Sequence, residues 1–224
     1  MTQAQAPNGS VRIMNLQRMR SSDPLDWGGQ RCEIFYENQL VTGHSFWGSF
    51  AAAQKADEPA GSGEMVVMQT HTPAQGDTNP PFALVASDSV MKWNVSYQSN
   101  PQVDSKGWLY AAENRTVHSE PGPAPGVIWR YVWHYVPSYL SSPQPLFEVW
   151  RAKPGAVYEK LITWTGPNDY NTAASPGVGY TYPRIGPYKW SSWSVPSIAW
   201  YLTPIYFGEG ADLLEAAKAS LAGL

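Results

Sequence analysis

The chain has 224 residues, including 11 Trp, 13 Tyr, 6 Phe, 20 Pro and 19 Gly, with 15% charged residues and a formal net charge of −3. That length fits one β-rich domain with a real core, and a Trp- and Pro-rich, charge-poor composition excludes a coiled coil, a helical bundle or a charged disordered chain. The weakly acidic balance excludes a generic nucleic-acid binder, which needs a basic surface. A single cysteine, Cys32, excludes an intramolecular disulfide framework, and no apolar run approaches the length of a membrane span. Residues Met1–Ser10 have neither the basic start nor the apolar stretch of a signal peptide.

Taken in chain order, most segments alternate apolar and polar residues and end at turn residues, which predicts strands. These are Val11–Gln17, Gln30–Tyr36, His44–Ala52, Met65–His71, Phe82–Ala86, Val90–Tyr97, Gly126–Pro137, Leu146–Arg151, Val157–Trp164, Tyr180–Trp190 and Ile198–Phe207. The segments between them are rich in Pro, Gly, Ser and Asn, among them Thr72–Pro81, Ser119–Gly126 and Gly166–Gly179. So many short strands without an intervening helix predict an all-β antiparallel sandwich over residues 1–208. Glu209–Leu224 reads as a helical appendage, with Leu213, Leu214, Ala217 and Leu221 at helical spacing, expected to pack on its own sandwich.

Three strands carry polar chemistry. In Gln30–Tyr36, Arg31, Glu33 and Phe35 share one face and Cys32, Ile34 and Tyr36 the other; an Arg31–Glu33 pair would orient the arginine. In Met65–His71, Met65, Val67, Gln69 and His71 share a face, so an amide and an imidazole project side by side. In Tyr180–Trp190, Tyr180, Tyr182, Arg184, Gly186, Tyr188 and Trp190 form an aromatic, cationic face. Pro183 and Pro187 each remove a ladder donor, so this strand is expected to bulge or to lie near an edge. The stripe Trp129, Tyr131, Trp133 and Tyr135 reads as core, with Arg130 and His134 facing the other way. Asn168, Asp169 and Tyr170 occupy a Pro/Gly-bounded loop that could reach over a cleft. The four histidines, 44, 71, 118 and 134, show none of the spacings of a zinc site.

Arg31-Cys-Glu33, Gln69-Thr-His71 and Tyr182-Pro-Arg-Ile-Gly186-Pro-Tyr188 resemble the three motif strands of the alginate-lyase branch of the jelly-roll polysaccharide lyases. The intervening sequence is similar to the heparin-lyase-I-like branch at Ser45–Phe50, Asn79–Leu84, Trp129–Ser138, Phe147–Trp150 and Gly166–Tyr170. The resemblance spans residues 11 to 208. Arg184 departs from the usual Lys, exchanging a point charge for a fork, and Trp190 stands where Gln is common. The resemblance implies a concanavalin A-like β-jelly roll of two antiparallel sheets, with a short C-terminal helix.

It also implies cleavage of an anionic, uronate-containing polysaccharide by β-elimination, with loss of the C5 proton and breakage of the C4–O bond. Such chemistry needs donors on the carboxylate, a base near C5 and an acid near O4. On this reading Gln69 and Arg31 neutralise the carboxylate, His71 is base or neutraliser, and Tyr188 is the acid, and also the base if nearby cations lower its pKa. Arg184, Tyr182, Trp190, Glu33, Lys189, Asn168 and Tyr170 would contact substrate. No cofactor is required, though structural calcium stays open, and neither nucleic acid nor membrane is an expected partner. The implied enzyme is a monomer, secreted or periplasmic, or else carried on a phage virion. A non-catalytic carbohydrate-binding module on the same sandwich, or a structural virion or surface protein, are the alternatives.

Overall fold

The computed structural model describes residues 2–5, 13–25, 29–58, 63–72, 79–87, 89–97, 113–139, 144–170, 180–189 and 195–224. Two antiparallel sheets face each other. The first is ordered β1 (Thr2–Gln5), β2 (Ile13–Arg20), β15 (Ser197–Leu202), β6 (Phe46–Gln54), β11 (Trp129–Val136), β12 (Leu146–Ala152) and β13 (Glu159–Trp164), with β16 (Tyr206–Glu209) also paired to β6. The second runs β10 (Glu113–Pro121), β9 (Val90–Tyr97), β8 (Phe82–Ser87), β7 (Glu64–His71), β14 (Tyr180–Lys189) and β3 (Gln30–Arg31). Two further short strands, β4 (Ile34–Phe35) and β5 (Leu40–Val41), pair with β14 farther along its length.

The predicted aromatic stripe is core: Trp129, Tyr131, Trp133 and Tyr135 are buried and meet Phe82 and Trp93 from the second sheet. Phe82 lies 5.4 Å from Trp133 and 4.6 Å from Phe147 between ring centroids, distances at which aromatic pairs add to simple area burial. Gly48 stands opposite Trp133 across the β6–β11 pair, and the indole fills the space a Cβ there would take. On the other face of the first sheet, Trp47 stacks on His134 at 4.0 Å, and Val132 and Trp150 pack beneath Leu213, Leu214 and Ala217.

The helix, α1, covers only Leu214–Ala219, shorter than the Glu209–Leu224 expected from spacing; Glu209 instead ends the strand paired with β6, and Gly210, at φ +152°, is outside helical geometry. It does pack on its own sandwich. A clasp fixes the turn before it: Ser45 Oγ donates to the Gly210 carbonyl at 2.7 Å, and Trp47 Nε1 donates to the same oxygen at 3.2 Å. Ser45 Oγ also lies 2.9 Å from His134 Nε2, whose Nδ1 lies 3.1 Å from Glu148. Together these contacts tie β6, β11 and β12 to the turn before the helix.

The strand β10 lies outside the expected set. Glu113-Asn-Arg-Thr-Val-His-Ser-Glu-Pro121 is polar on both faces, because it is an edge strand with little to bury. It is tied to the first sheet by Arg151, nearly buried, which pairs with Glu120 of β10 and Glu159 of β13 and lies 4.6 Å over the Trp129 ring.

Candidate active site

The outer face of the second sheet collects the motif residues through its central strands, β7 and β14. Register sets Tyr182 opposite His71 and Arg184 opposite Gln69, while Tyr188 stands opposite Val66 on one side and Arg31 on the other. The pairing of β7 with β8 shifts between Val66 and Met68, the signature of a bulge. The face expected for Met65–His71 is corrected by that bulge. Met65, Val67 and Met68 all pack in the central core, whereas Val66 joins Ala83, Val85 and Tyr188 in a separate outer cluster.

The proline-rich strand behaves as its sequence requires. β14 carries a second register shift, between Ile185 and Tyr188, and meets three two-residue strands on one side instead of one long partner. Gly186, at φ +142°, is needed there. A Cβ would run into the Cys32 carbonyl and the Gln17 side chain, and an L residue rarely adopts that backbone. Gln17, buried between the sheets, turns its amide nitrogen to the carbonyls of Ile185 (3.2 Å) and Cys32 (2.5 Å), which ties the bulge to the first sheet.

Glu33 is the hub. Its side chain is 4% exposed, Gln69 Nε2 donates to it at 2.6 Å, and the guanidiniums of Arg31 and Arg184 lie 3.8 and 3.7 Å away. Burial pushes its carboxyl up, against the pull of Gln69, Arg184 and Arg31. The expected Arg31–Glu33 pair thus exists as part of a larger network. Its consequence is orientation: one Gln69 N–H is held by Glu33, which fixes the plane of the amide and the direction of its second N–H.

From this hub two arms extend. On one, the Arg31 guanidinium lies 4.3 Å over the Tyr188 ring, within cation–π range. Gly29 backs that ring, since a Cβ there would sit 2.6 Å from Tyr188 Cε2 and 2.6 Å from the Lys189 carbonyl. On the other arm, Arg184 Nη2 donates to the Tyr182 hydroxyl at 2.8 Å, and the Tyr182 ring stacks on His71 at 5.8 Å. The His71 Nδ1 nitrogen lies 2.6 Å from the Thr72 carbonyl, so Nδ1 carries the proton and Nε2 the lone pair. Burial first, then Arg184 and Arg31, push the imidazole down to about 4 against the Thr72 contact. His71 is neutral at neutral pH.

Three residues expected to touch substrate are placed elsewhere. Asn168 is fully buried: its Nδ2 donates to the Val136 and Leu146 carbonyls at 3.1 and 3.0 Å, and its Oδ1 accepts from Ser138 N at 2.8 Å. Tyr170, also buried, donates to the Asn79 carbonyl at 2.6 Å. This loop is a plug satisfying backbone groups where β11 ends and β12 begins. Lys189 is buried on the face of β14 opposite Tyr188, its ammonium 3.5 Å from the Glu64 carbonyl. Trp190 lies outside the described residues. Sequence reasoning passed over Gly29 and Phe35; the first belongs to a Gly28-Gly29 pair that reads as a turn before the motif strand, and the second had no polar group to single it out.

Among the described residues, no group of three or more His, Cys, Asp or Glu could hold a metal ion, and no helix is long and apolar enough to cross a membrane. No family model and no curated protein matches the chain. Solved structures do. An endo-β-1,4-glucuronan lyase from the fungus Trichoderma reesei superposes with a TM-score of 0.66 at 12% identity, covering 93% of this chain and 87% of that one. The fold is the jelly roll of polysaccharide lyases. The exolytic family 7 alginate lyase AlyA5 from Zobellia galactanivorans (TM-score 0.59, 12% identity, 90% and 86% coverage) has the same jelly roll. So does the family 7 alginate lyase A1-II' (0.56, 11%, 94% and 84%).

Proposed function

We propose that the protein is a polysaccharide lyase that cleaves an anionic, uronate-containing polysaccharide by β-elimination. The observation that carries this reading is the gathering of Arg31, Gln69, His71, Arg184 and Tyr188 on one sheet face around the buried Glu33 carboxylate. A uronate carboxylate placed beside the hub accepts from Gln69 and from the two guanidiniums, which stabilises the negative charge that develops when the C5 proton leaves. A neutral His71 contributes a lone pair at Nε2 and no positive charge, so it serves as the base and leaves neutralisation to the arginines and Gln69. The C5–H and C4–O bonds break, the C4=C5 double bond forms, and Tyr188 gives the departing O4 its proton. Tyr188, which is half-buried under the Arg31 guanidinium, suits this role better than Tyr182, which is 9% exposed. The enzyme acts as a monomer and meets its polymer outside the cytoplasm.

The test is a polymer panel of glucuronan, alginate, heparin-like and bacterial capsular polysaccharides, read by ultraviolet absorbance of unsaturated products with a chelator present. The expected result is cleavage of at least one polymer and loss of most activity in Tyr188→Phe, with a smaller loss in Tyr182→Phe. Binding to a polymer without cleavage of any would identify a carbohydrate-binding module instead.

A further inference from the structure

The arm that runs past Arg184 does not end in charge. Phe35 is 52% exposed, beside Arg184 in register across the β4–β14 pair, while its neighbour Ile34 packs against the core. Its ring meets Tyr182 edge-on at 4.6 Å and 88°, with the Arg184 guanidinium 5.9 Å from its centroid. One strand pair farther on, β5 repeats the arrangement: Leu40 is fully buried and Val41, opposite Tyr180, is 38% exposed. Tyr180 and Tyr182 share a face of β14 with Arg184. Three strands thus bring Phe35, Val41, Tyr180 and Tyr182 to one end of the same outer face, next to the cationic hub. Phe35 and Val41 are two of the four exposed large apolar side chains among the described residues. A single exposed apolar residue is ordinary. Two that converge on a motif face, one of them held edge-on by an anchored tyrosine, form a built surface.

We propose that Phe35, flanked by Val41, Tyr180 and Tyr182, is a sugar subsite adjoining the hub, where a pyranose ring of the polymer stacks by its C–H face. This inference rests on the lyase reading above and deepens it. The hub takes the carboxylate of one sugar; the neighbouring sugar is held by ring shape and apolar contact, so a carboxylate on that second residue is not required for binding. Stacking of this kind survives salt, whereas exposed charge pairing is screened, which gives the two contributions different signatures.

The experiment uses the full chain and the polymer that the wild type cleaves best. Phe35→Ala is expected to raise KM about three- to tenfold, the range of an aromatic contact, with the loss falling on KM more than on kcat and persisting at high salt. Phe35→Trp is expected to restore KM, and Phe35→Leu, which keeps apolar area but no ring face, to resemble Phe35→Ala. The loss in Arg184→Gln should instead shrink as salt rises. Thermal melting confirms that each variant is folded. If the wild type cleaves polymer but Phe35→Ala leaves KM unchanged, or if Phe35→Leu equals wild type, the stacking subsite is wrong and the lyase reading stands. If the wild type cleaves none of the panel, it is the lyase reading that fails.

Discussion

Removing the imidazole of His71 separates the electrostatics of the site from its chemistry. The ring is held neutral by burial and by the guanidiniums of Arg184 and Arg31, which bring it down to about 4, against about 6.5 in an unfolded chain. Above pH 6.5 both states carry neutral imidazole and nothing is lost. As pH falls below 6.5 the unfolded chain takes up a proton that the native site refuses, so stability drops until the native ring protonates near 4. At about 1.4 kcal/mol for each pH unit, that window is worth about 3 kcal/mol. His71→Asn lacks this slope. Urea unfolding of both proteins from pH 7.5 down to 4 should therefore show the wild type losing about 3 kcal/mol relative to the variant, almost all of it between pH 6.5 and 4. In kinetics, a base with this environment stays competent in mild acid, so kcat/KM should lack an inflection near 6.5. A pH-independent stability difference, or a kinetic inflection near 6.5 that disappears in His71→Asn, refutes the assignment of a neutral, cation-flanked imidazole.

A slope of opposite sign is expected from Asp169, a buried carboxyl accepting from Tyr170 N at 2.9 Å and pushed up to about 7 by burial. Its full contribution to stability is present below about pH 4 and is lost as pH rises through 7. Asp169→Asn should therefore gain up to about 4 kcal/mol on the wild type between pH 4 and 7.5, measured in the same unfolding series; a constant difference would sink the idea. Gly29→Ala should fold but displace the Tyr188 ring that its Cβ would strike. A shift of about 1 Å in a catalytic group can cost about a hundredfold, so a variant that keeps wild-type kcat would show that this backing is not what positions Tyr188.

How much of this was legible in the sequence depends on the kind of information each feature uses. Alternation along a strand is local, so the sandwich, the core stripe of Trp129 to Tyr135, the split of Arg31, Glu33 and Phe35 from Cys32, Ile34 and Tyr36, and the broken pairing of a strand containing Pro183 and Pro187 could all be read from the residues themselves. Local rules fail where a strand buries little, as in β10, and where a bulge shifts phase, as at Val67, because a bulge is defined only against a partner strand. They fail again for Asn168, Tyr170 and Lys189, whose polar groups suggested substrate but are consumed in the interior by backbone partners distant in sequence. Glu33 shows the limit most clearly. The sequence paired it with Arg31 two residues away; only the tertiary structure brought Gln69 and Arg184 to the same carboxylate, because β3, β7 and β14 meet by register across the sheet and not by proximity along the chain.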